Sequence, residues 1–263
     1  ERVRVRGRVW RRDVPLPLTP ALSHRERESK LRAEWENVML LHIPQVLSKQ
    51  QVAQIRQQLH EAPWQAGANT AGAQAAKVKH NLQLSQNLPI AQQMAQQVRE
   101  ALLAHPLFVS AVLPKQLLLP LFNCYQQGGH FGNHVDGAIQ YEALTRFPVR
   151  TDVSTTVFLS EPDEYEGGEL IIEDTYGSHE VKLAAGDAIV YPATSLHRVE
   201  PVENGQRFAA FLWSQSMVKD NTQRQLLFDL DMTIIRLRQQ LQDSQDVLAL
   251  TNHYHNLLRQ WAE

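Results

Sequence analysis

The spacing of apolar positions changes along the chain. Leu40–Ile43 forms a short β-like run. Ser48-x-x-Gln51 then has the form of a capping box, followed by Val52, Ile55 and Leu59 at helical intervals. Residues 64–80 are Ala/Gly-rich, without clear period, and read as a loop. A second helical stretch begins near Pro89, runs through Met94, Val98 and Leu102, and must stop before Pro106. From 117 to 215 the texture is that of strands, predicted at 117–125, 154–160, 169–173, 180–183, 188–191, 197–202 and 207–214. Turn signals separate them at Gly128-Gly129, Gly167-Gly168, Tyr176-Gly177, Gly186-Asp187 and Asn204-Gly205. Many short strands with Gly-rich turns argue a barrel or double-sheet jelly roll and not a βαβ wind.

After Asp220 the helical period returns. Leu226, Leu230, Ile234, Leu237 and Leu241 form one apolar stripe, and Val247, Leu250, Tyr254, Leu257 and Trp261 form another. The short polar link between them predicts an antiparallel pair whose stripe buries against the barrel or against a second copy of the chain. The predicted class is therefore α+β with a mainly β core: a jelly roll flanked by N-terminal helices and a C-terminal helical pair. Three segments are expected: an N-terminal extension over 1–38, a main domain over 39–216 and a helical hairpin over 217–263.

Composition narrows the function classes. Hydrophobic residues make up 43% and charged ones 21% of the 263 residues, ordinary usage for a globular chain. No apolar run approaches the roughly 20 residues that span a bilayer. The single cysteine, Cys124, cannot form an internal disulfide, which favours a reducing, cytoplasmic setting. Residues 1–36 hold ten Lys/Arg against six Asp/Glu, and the remainder sixteen against twenty-two. An acidic body is a poor match for a phosphate backbone, so nucleic-acid binding is demoted. The stretch 17–28 looks like a translated bacterial intergenic repeat, so 1–38 reads as disordered or non-native, with Met39 as the natural start.

His134-Val-Asp136 is the first chemical signal, since residues i and i+2 of a strand share a face. His197 lies in a later predicted strand, and Arg207 ten residues beyond it. Two imidazoles and one carboxylate suit Fe(II) with open positions, and zinc is the other metal to weigh. Arg207 favours iron with a dicarboxylate cosubstrate, whose far carboxylate needs a bidentate cation. A three-residue loop Glu203-Asn204-Gly205 would pair Pro201 with Arg207 in a hairpin and put Arg207 on the face of His197. Tyr125 serves equally as a hydroxyl donor to the cosubstrate or as a core aromatic. Thr156, Ser214, Asn123 and Asn133 are undistinguished. His130 reads as solvated, Cys124 as a buried small hydrophobe, and Lys77, Lys79 and His80 as a substrate entrance or a solvated loop.

Cys124-Tyr125-x-x-Gly128-x-x-Phe131-x-x-His134-x-Asp136, Gly167-Gly168-Glu169-Leu170, Gly186-Asp187-Ala188 and His197-Arg-Val-x-Pro-Val-x-x-Gly-x-Arg207 together resemble the prolyl-4-hydroxylase-type Fe(II)/2-oxoglutarate dioxygenases. Residues 39–263 resemble, more narrowly, the bacterial PKHD-type hydroxylases. The resemblance implies a double-stranded β-helix, iron held by His134, Asp136 and His197, and 2-oxoglutarate held by Arg207. It also implies O₂ as cosubstrate, succinate and CO₂ as products, and L-ascorbate dependence. Where the larger family often has Tyr, this chain has Phe131. A non-catalytic iron or 2-oxoglutarate sensor on the same fold is the alternative from another class, and a zinc hydrolase the third. The substrate stays open among a peptidyl proline or lysine, an amino acid and an iron-chelating small molecule. An iron-uptake context is only hinted at by the resemblance.

Overall fold

Ser48 starts the first helix as its spacing requires. Its hydroxyl accepts from Gln51 N at 3.3 Å, and Ser48 N donates back to Gln51 Oε1 at 2.9 Å. The computed structural model describes residues 40–70, 75–143 and 145–263; the expectation for 1–38 lies outside them. The order is β1 (Leu41–Ile43), α1 (Lys49–His60), β2 (Trp64–Ala66), β3 (Lys79–His80), β4 (Leu82–Leu84), α2 (Pro89–Ala104), α3 (Pro106–Val112), β5 (Pro114–Leu117), β6 (Leu121–Tyr125) and β7 (Gly129–His134). A ribbon of β8 (Ile139–Tyr141) and β9 (Pro148–Arg150) precedes β10 (Val153–Phe158), β11 (Tyr165–Gly167), β12 (Leu170–Asp174), β13 (Gly177–Val181), β14 (Ala188–Pro192), β15 (Leu196–Gly205) and β16 (Arg207–Ser216). Helices α4 (Asn221–Leu241) and α5 (Gln245–Trp261) follow.

Two antiparallel sheets form the body. The larger has eight strands along the path β1-β14-β10-β16-β6-β4-β2, with β5 attached to β16. The smaller has six along β13-β12-β15-β7-β3, with β11 attached to β15. Tyr125, Phe158, Ile189 and Tyr191 of the larger sheet pack with Leu170, Ile172, Val199 and Val202 of the smaller. This is the jelly-roll solution: each sheet buries one face against the other. Alternation along β16 turns Arg207, Ala209, Phe211 and Trp213 to the interior cavity, which Leu212 also borders, while buried Phe208 packs on the other side against the rings of His60 and Trp64.

The β15–β16 connection differs from its expected form. The two strands lie in different sheets, so His197 and Arg207 do not share a hairpin face. The chain crosses from one sheet to the other at Gln206, and Gly205 supplies the left-handed turn at φ +77°. Burial drives this, because both strands are long and each sheet supplies one wall of the core. The Ala/Gly-rich stretch also holds β2 and β3, whose pairing partners β4 and β7 lie far enough along the chain that local period could not show them. Helix α3 was hidden by Pro106, which sits at its N-terminal turn, where a missing N–H is harmless.

The C-terminal pair is antiparallel, with Arg238 Nη2 donating to Thr251 across it. Its stripe is shifted from the expected one. Leu226 and Leu241 are about half exposed, while Leu227, Phe228 and Ile234 are buried. Leu227 joins Leu113 and Val218 of the body, and Tyr254, Leu257, Leu258 and Trp261 close over them. Buried Arg224 fastens the helix start by donating to the carbonyls of Val218 and Lys219. Among the described residues, no helix is long and apolar enough to cross a membrane. Leu227→Ala, at a fully buried position, is expected to lower stability by about 2–5 kcal/mol in urea unfolding, whereas Leu226→Ala should change it by less than about 0.5 kcal/mol.

Candidate active site

His134 ends β7 and pairs in register with His197 on β15, which sets their rings 4.2 Å apart. Asp136 lies just past the strand, not on it, yet its carboxylate returns to the same point. Ser154 Oγ on β10 donates to Asp136 Oδ2 at 2.5 Å, and Asp136 Oδ2 stands 3.9 Å from His197 Nε2. One ligand atom from each of the three residues lies within 4.8 Å of the others.

The imidazoles are set for coordination. His134 Nδ1 donates to the carbonyl of Gly132 at 2.8 Å, and His197 Nδ1 to that of Ser195 at 3.0 Å. A carbonyl can only accept, so the proton sits on Nδ1 in both rings and Nε2 keeps its lone pair for the shared point. Burial, with His197 beside it, brings the His134 pKa down to about 4, so this ring is neutral at physiological pH. Phe131 stacks on His134 at 3.6 Å, and Tyr191 meets His197 edge-on at 5.2 Å. The donor set of two imidazoles and a carboxylate fits a divalent metal with open positions.

Arg207 closes the inner end of the same cavity, a space of about 120 Å³ lined also by His134, Asp136, His197 and Tyr125. The side chain is 1% exposed, and its Nε and Nη2 have no hydrogen-bond partner among the described residues. Its guanidinium lies 5.2 Å from the ring centroids of both Tyr125 and Phe158. Tyr125 pairs with Arg207 in the sheet and accepts from Asn123 Nδ2 at 3.2 Å. Burial pushes the Tyr125 phenol up despite the neighbouring guanidinium, so it stays a hydroxyl. A buried cation with N–H groups unpaired fits an anionic ligand end.

The expected residues thus converge, although Arg207 faces the histidines from the opposite sheet. Thr156 and Asn123 line the cavity; Ser214 is buried elsewhere and Asn133 is exposed. His130 sits on β7, its ring tilted by 40° against that of His80 at 4.7 Å. Ser154 and Tyr191 escaped notice in the sequence, because a serine or tyrosine in a β-run carries no distinguishing pattern, and Gly168 was legible only as a turn signal and part of a family motif. Gly168, at φ +69°, leaves room for the arginine: a Cβ there would meet Arg207 Cδ at 3.1 Å and Val202 Cγ2 at 2.6 Å.

Known proteins agree with this geometry. A profile described as the 2OG-Fe(II) oxygenase superfamily matches residues 120–215, and one described as the PKHD-type hydroxylase C-terminal domain matches 221–263. In fold the chain is similar to a 2OG-Fe(II) oxygenase family oxidoreductase from Burkholderia pseudomallei, with TM-score 0.50 and 16% identity over 73% of this chain and 90% of that one. It is also similar to the α-ketoglutarate-dependent epimerase SnoN of nogalamycin biosynthesis, with TM-score 0.51 and 14% identity over 74% and 84%. The class is that of 2-oxoglutarate- and Fe(II)-dependent oxygenases. Among curated relatives, a PKHD-type hydroxylase of Hyphomonas neptunium is 62% identical over 86% of this chain and all of its own length. One of Saccharophagus degradans is 58% identical over the same shares, and PiuC of Pseudomonas aeruginosa 50%. The chain belongs to the PKHD-type hydroxylase family.

Cys124, between Asn123 and Tyr125, is buried, and burial pushes its thiol up to about 12. Native protein at pH 8 is expected to resist alkylation by iodoacetamide, with labelling only on unfolding; mass spectrometry of the two samples checks this.

Proposed function

We propose that His134, Asp136 and His197 hold the ferrous ion of this hydroxylase and that Arg207, with Tyr125, holds 2-oxoglutarate. The observation that carries this is one cavity lined both by a three-donor cluster and by a buried guanidinium whose Nε and Nη2 have no hydrogen-bond partner among the described residues. Bound there, iron and 2-oxoglutarate supply O₂ activation coupled to oxidative decarboxylation, with succinate and CO₂ leaving and an oxygen atom going to the substrate.

The chain's own part is orientation and exclusion. Gly132 and Ser195 fix which imidazole nitrogens face the metal, and Ser154 fixes the carboxylate. The guanidinium fork would receive the C5 carboxylate, a planar pairing that a point charge cannot reproduce. Phe131, Leu170 and Val199 wall the cavity against water. We further assign L-ascorbate as supporting reductant, by family custom, and a cytoplasmic setting, which suits a free buried thiol. The proposed division is a catalytic domain over 39–216 and a helical hairpin over 217–263, whose exposed Leu226, Leu241 and Leu248 would meet a second copy in an oligomer. The sensor reading shares the binding residues and differs in releasing nothing.

Purified protein with Fe(II), 2-oxoglutarate and air is expected to release succinate, and His134→Ala to release none while keeping its fold. Binding of both without succinate, in cell extract as in buffer, would establish the sensor instead. A product heavier by one oxygen in extract, absent with His134→Ala, would identify the substrate. Arg207→Lys should weaken 2-oxoglutarate binding by roughly 10- to 100-fold. Gly168→Ala should do the same by crowding the Arg207 stem. Calorimetry should show Mn(II) affinity unchanged in both variants.

A further inference from the structure

Asp136 is the member of the three-donor cluster that no strand carries. β7 ends at His134, and Val135, Gly137, Ala138 and Ile139 are exposed, so burial does little to hold the stretch that bears the carboxylate. A carboxylate on a loose stretch of chain must be ordered at the moment a ligand arrives, and that ordering is subtracted from the affinity. The structure supplies the order beforehand.

Ser154 Oγ meets the carboxylate itself. The backbone just beyond is held by Thr151, whose Oγ1 donates to the Gly137 carbonyl at 2.8 Å and whose N–H donates to the Ala138 carbonyl at 3.0 Å. These bonds extend the β8–β9 ladder, in which Ile139 pairs with Arg150, back toward Asp136. Thr151 is 6% exposed, and its branched side chain has little rotamer freedom, so the hydroxyl is a stiff donor. The carbonyl it binds belongs to an exposed residue that water could serve. The bond therefore contributes position more than stability.

Thr151 is secured on either side. Arg150 Nε and Nη2 donate to Asp152 Oδ1 and Oδ2 at 2.7 and 3.0 Å, and Arg150 Nη1 reaches Glu263 Oε2 at 3.1 Å, just past α5. Asp152 is locked into the larger sheet. Its Oδ2 accepts from Ser216 N at 2.9 Å, its N–H donates to the Ser214 carbonyl at 3.0 Å, and its carbonyl accepts from Ala193 N at 3.1 Å. The strap 150–152 thus joins β16, and the segment behind α5, to the residue that follows Asp136.

We propose that Thr151 is a positioning residue for Asp136, holding the carboxylate where the metal needs it before the metal arrives. This rests on the assignment of the metal to His134, Asp136 and His197 above. Thr151 touches neither metal nor substrate and acts through the Gly137 and Ala138 carbonyls.

The test titrates full-length, metal-free protein with Mn(II) in a calorimeter and follows hydrogen exchange in the same samples. Thr151→Val is expected to weaken Mn(II) binding by about 10-fold, the low end for loss of a group that orients a metal ligand. Thr151→Ser, which keeps the hydroxyl, should stay within about threefold of the unmodified protein. In metal-free Thr151→Val, exchange should quicken over 135–142 while β10 and β16 keep their protection. Unchanged Mn(II) affinity in Thr151→Val would overturn the proposal. Failure of Thr151→Ser to restore binding would do so too, by making side-chain volume the cause. A loss of protection across β10 and β16 would also overturn it, by making Thr151 a residue of general stability. If the unmodified protein binds Mn(II) no better than His134→Ala, the metal assignment itself falls, and this proposal with it.

Discussion

A guanidinium sealed between two sheets, with N–H groups facing an internal cavity, is tolerable only if an anion completes it. Arg207 is held there by Tyr125 and Phe158 on its faces and by the space that Gly168 leaves beside its stem. A lysine would place a mobile point charge in that position, and a neutral residue would leave the far carboxylate of a diacid unpaired. The proposed pairing of Arg207 with a dicarboxylate cosubstrate would thus be built into the core packing.

The proposed metal cluster obeys a related economy. Each candidate ligand is oriented by a second partner drawn from the backbone or the opposite sheet: carbonyls at Gly132 and Ser195 for the imidazoles, and Ser154 for the carboxylate. Since β7 and β15 pair in the smaller sheet while Ser154 and Arg207 belong to the larger, the site exists only when both sheets close on one another. Folding and assembly of the site are therefore one event. The C-terminal helices line no part of this cavity and instead cover Leu113 and Val218.

The chain's own pattern determined much of this. Strand runs broken by glycine pairs specify a β-rich core, because period-two apolar residues can bury only in a sheet face. Ser48 and Gln51 specify a helix start through hydrogen bonds that span only three residues. His134, Asp136, His197 and Arg207 were legible because their chemistry is restrictive: few functions need two imidazoles, a carboxylate and a distant arginine. Phe131 and Tyr125 could be named as neighbours but not given positions.

Tertiary structure alone decided which sheet each strand joins, and so how Arg207 reaches the histidines. Local turn chemistry at Asn204-Gly205 is compatible with a hairpin, and only burial against two separate walls sends β15 and β16 into different sheets. The same holds for Lys79, which sits in a stretch without period and is brought into the cavity over Phe131 and Phe211 only by the fold. The helix stripe shifted for that reason too, since Leu227 rather than Leu226 faces Leu113. Spacing along one chain encodes which side chains can share a face; it does not encode the partner across the gap, because that depends on contacts between segments far apart in sequence.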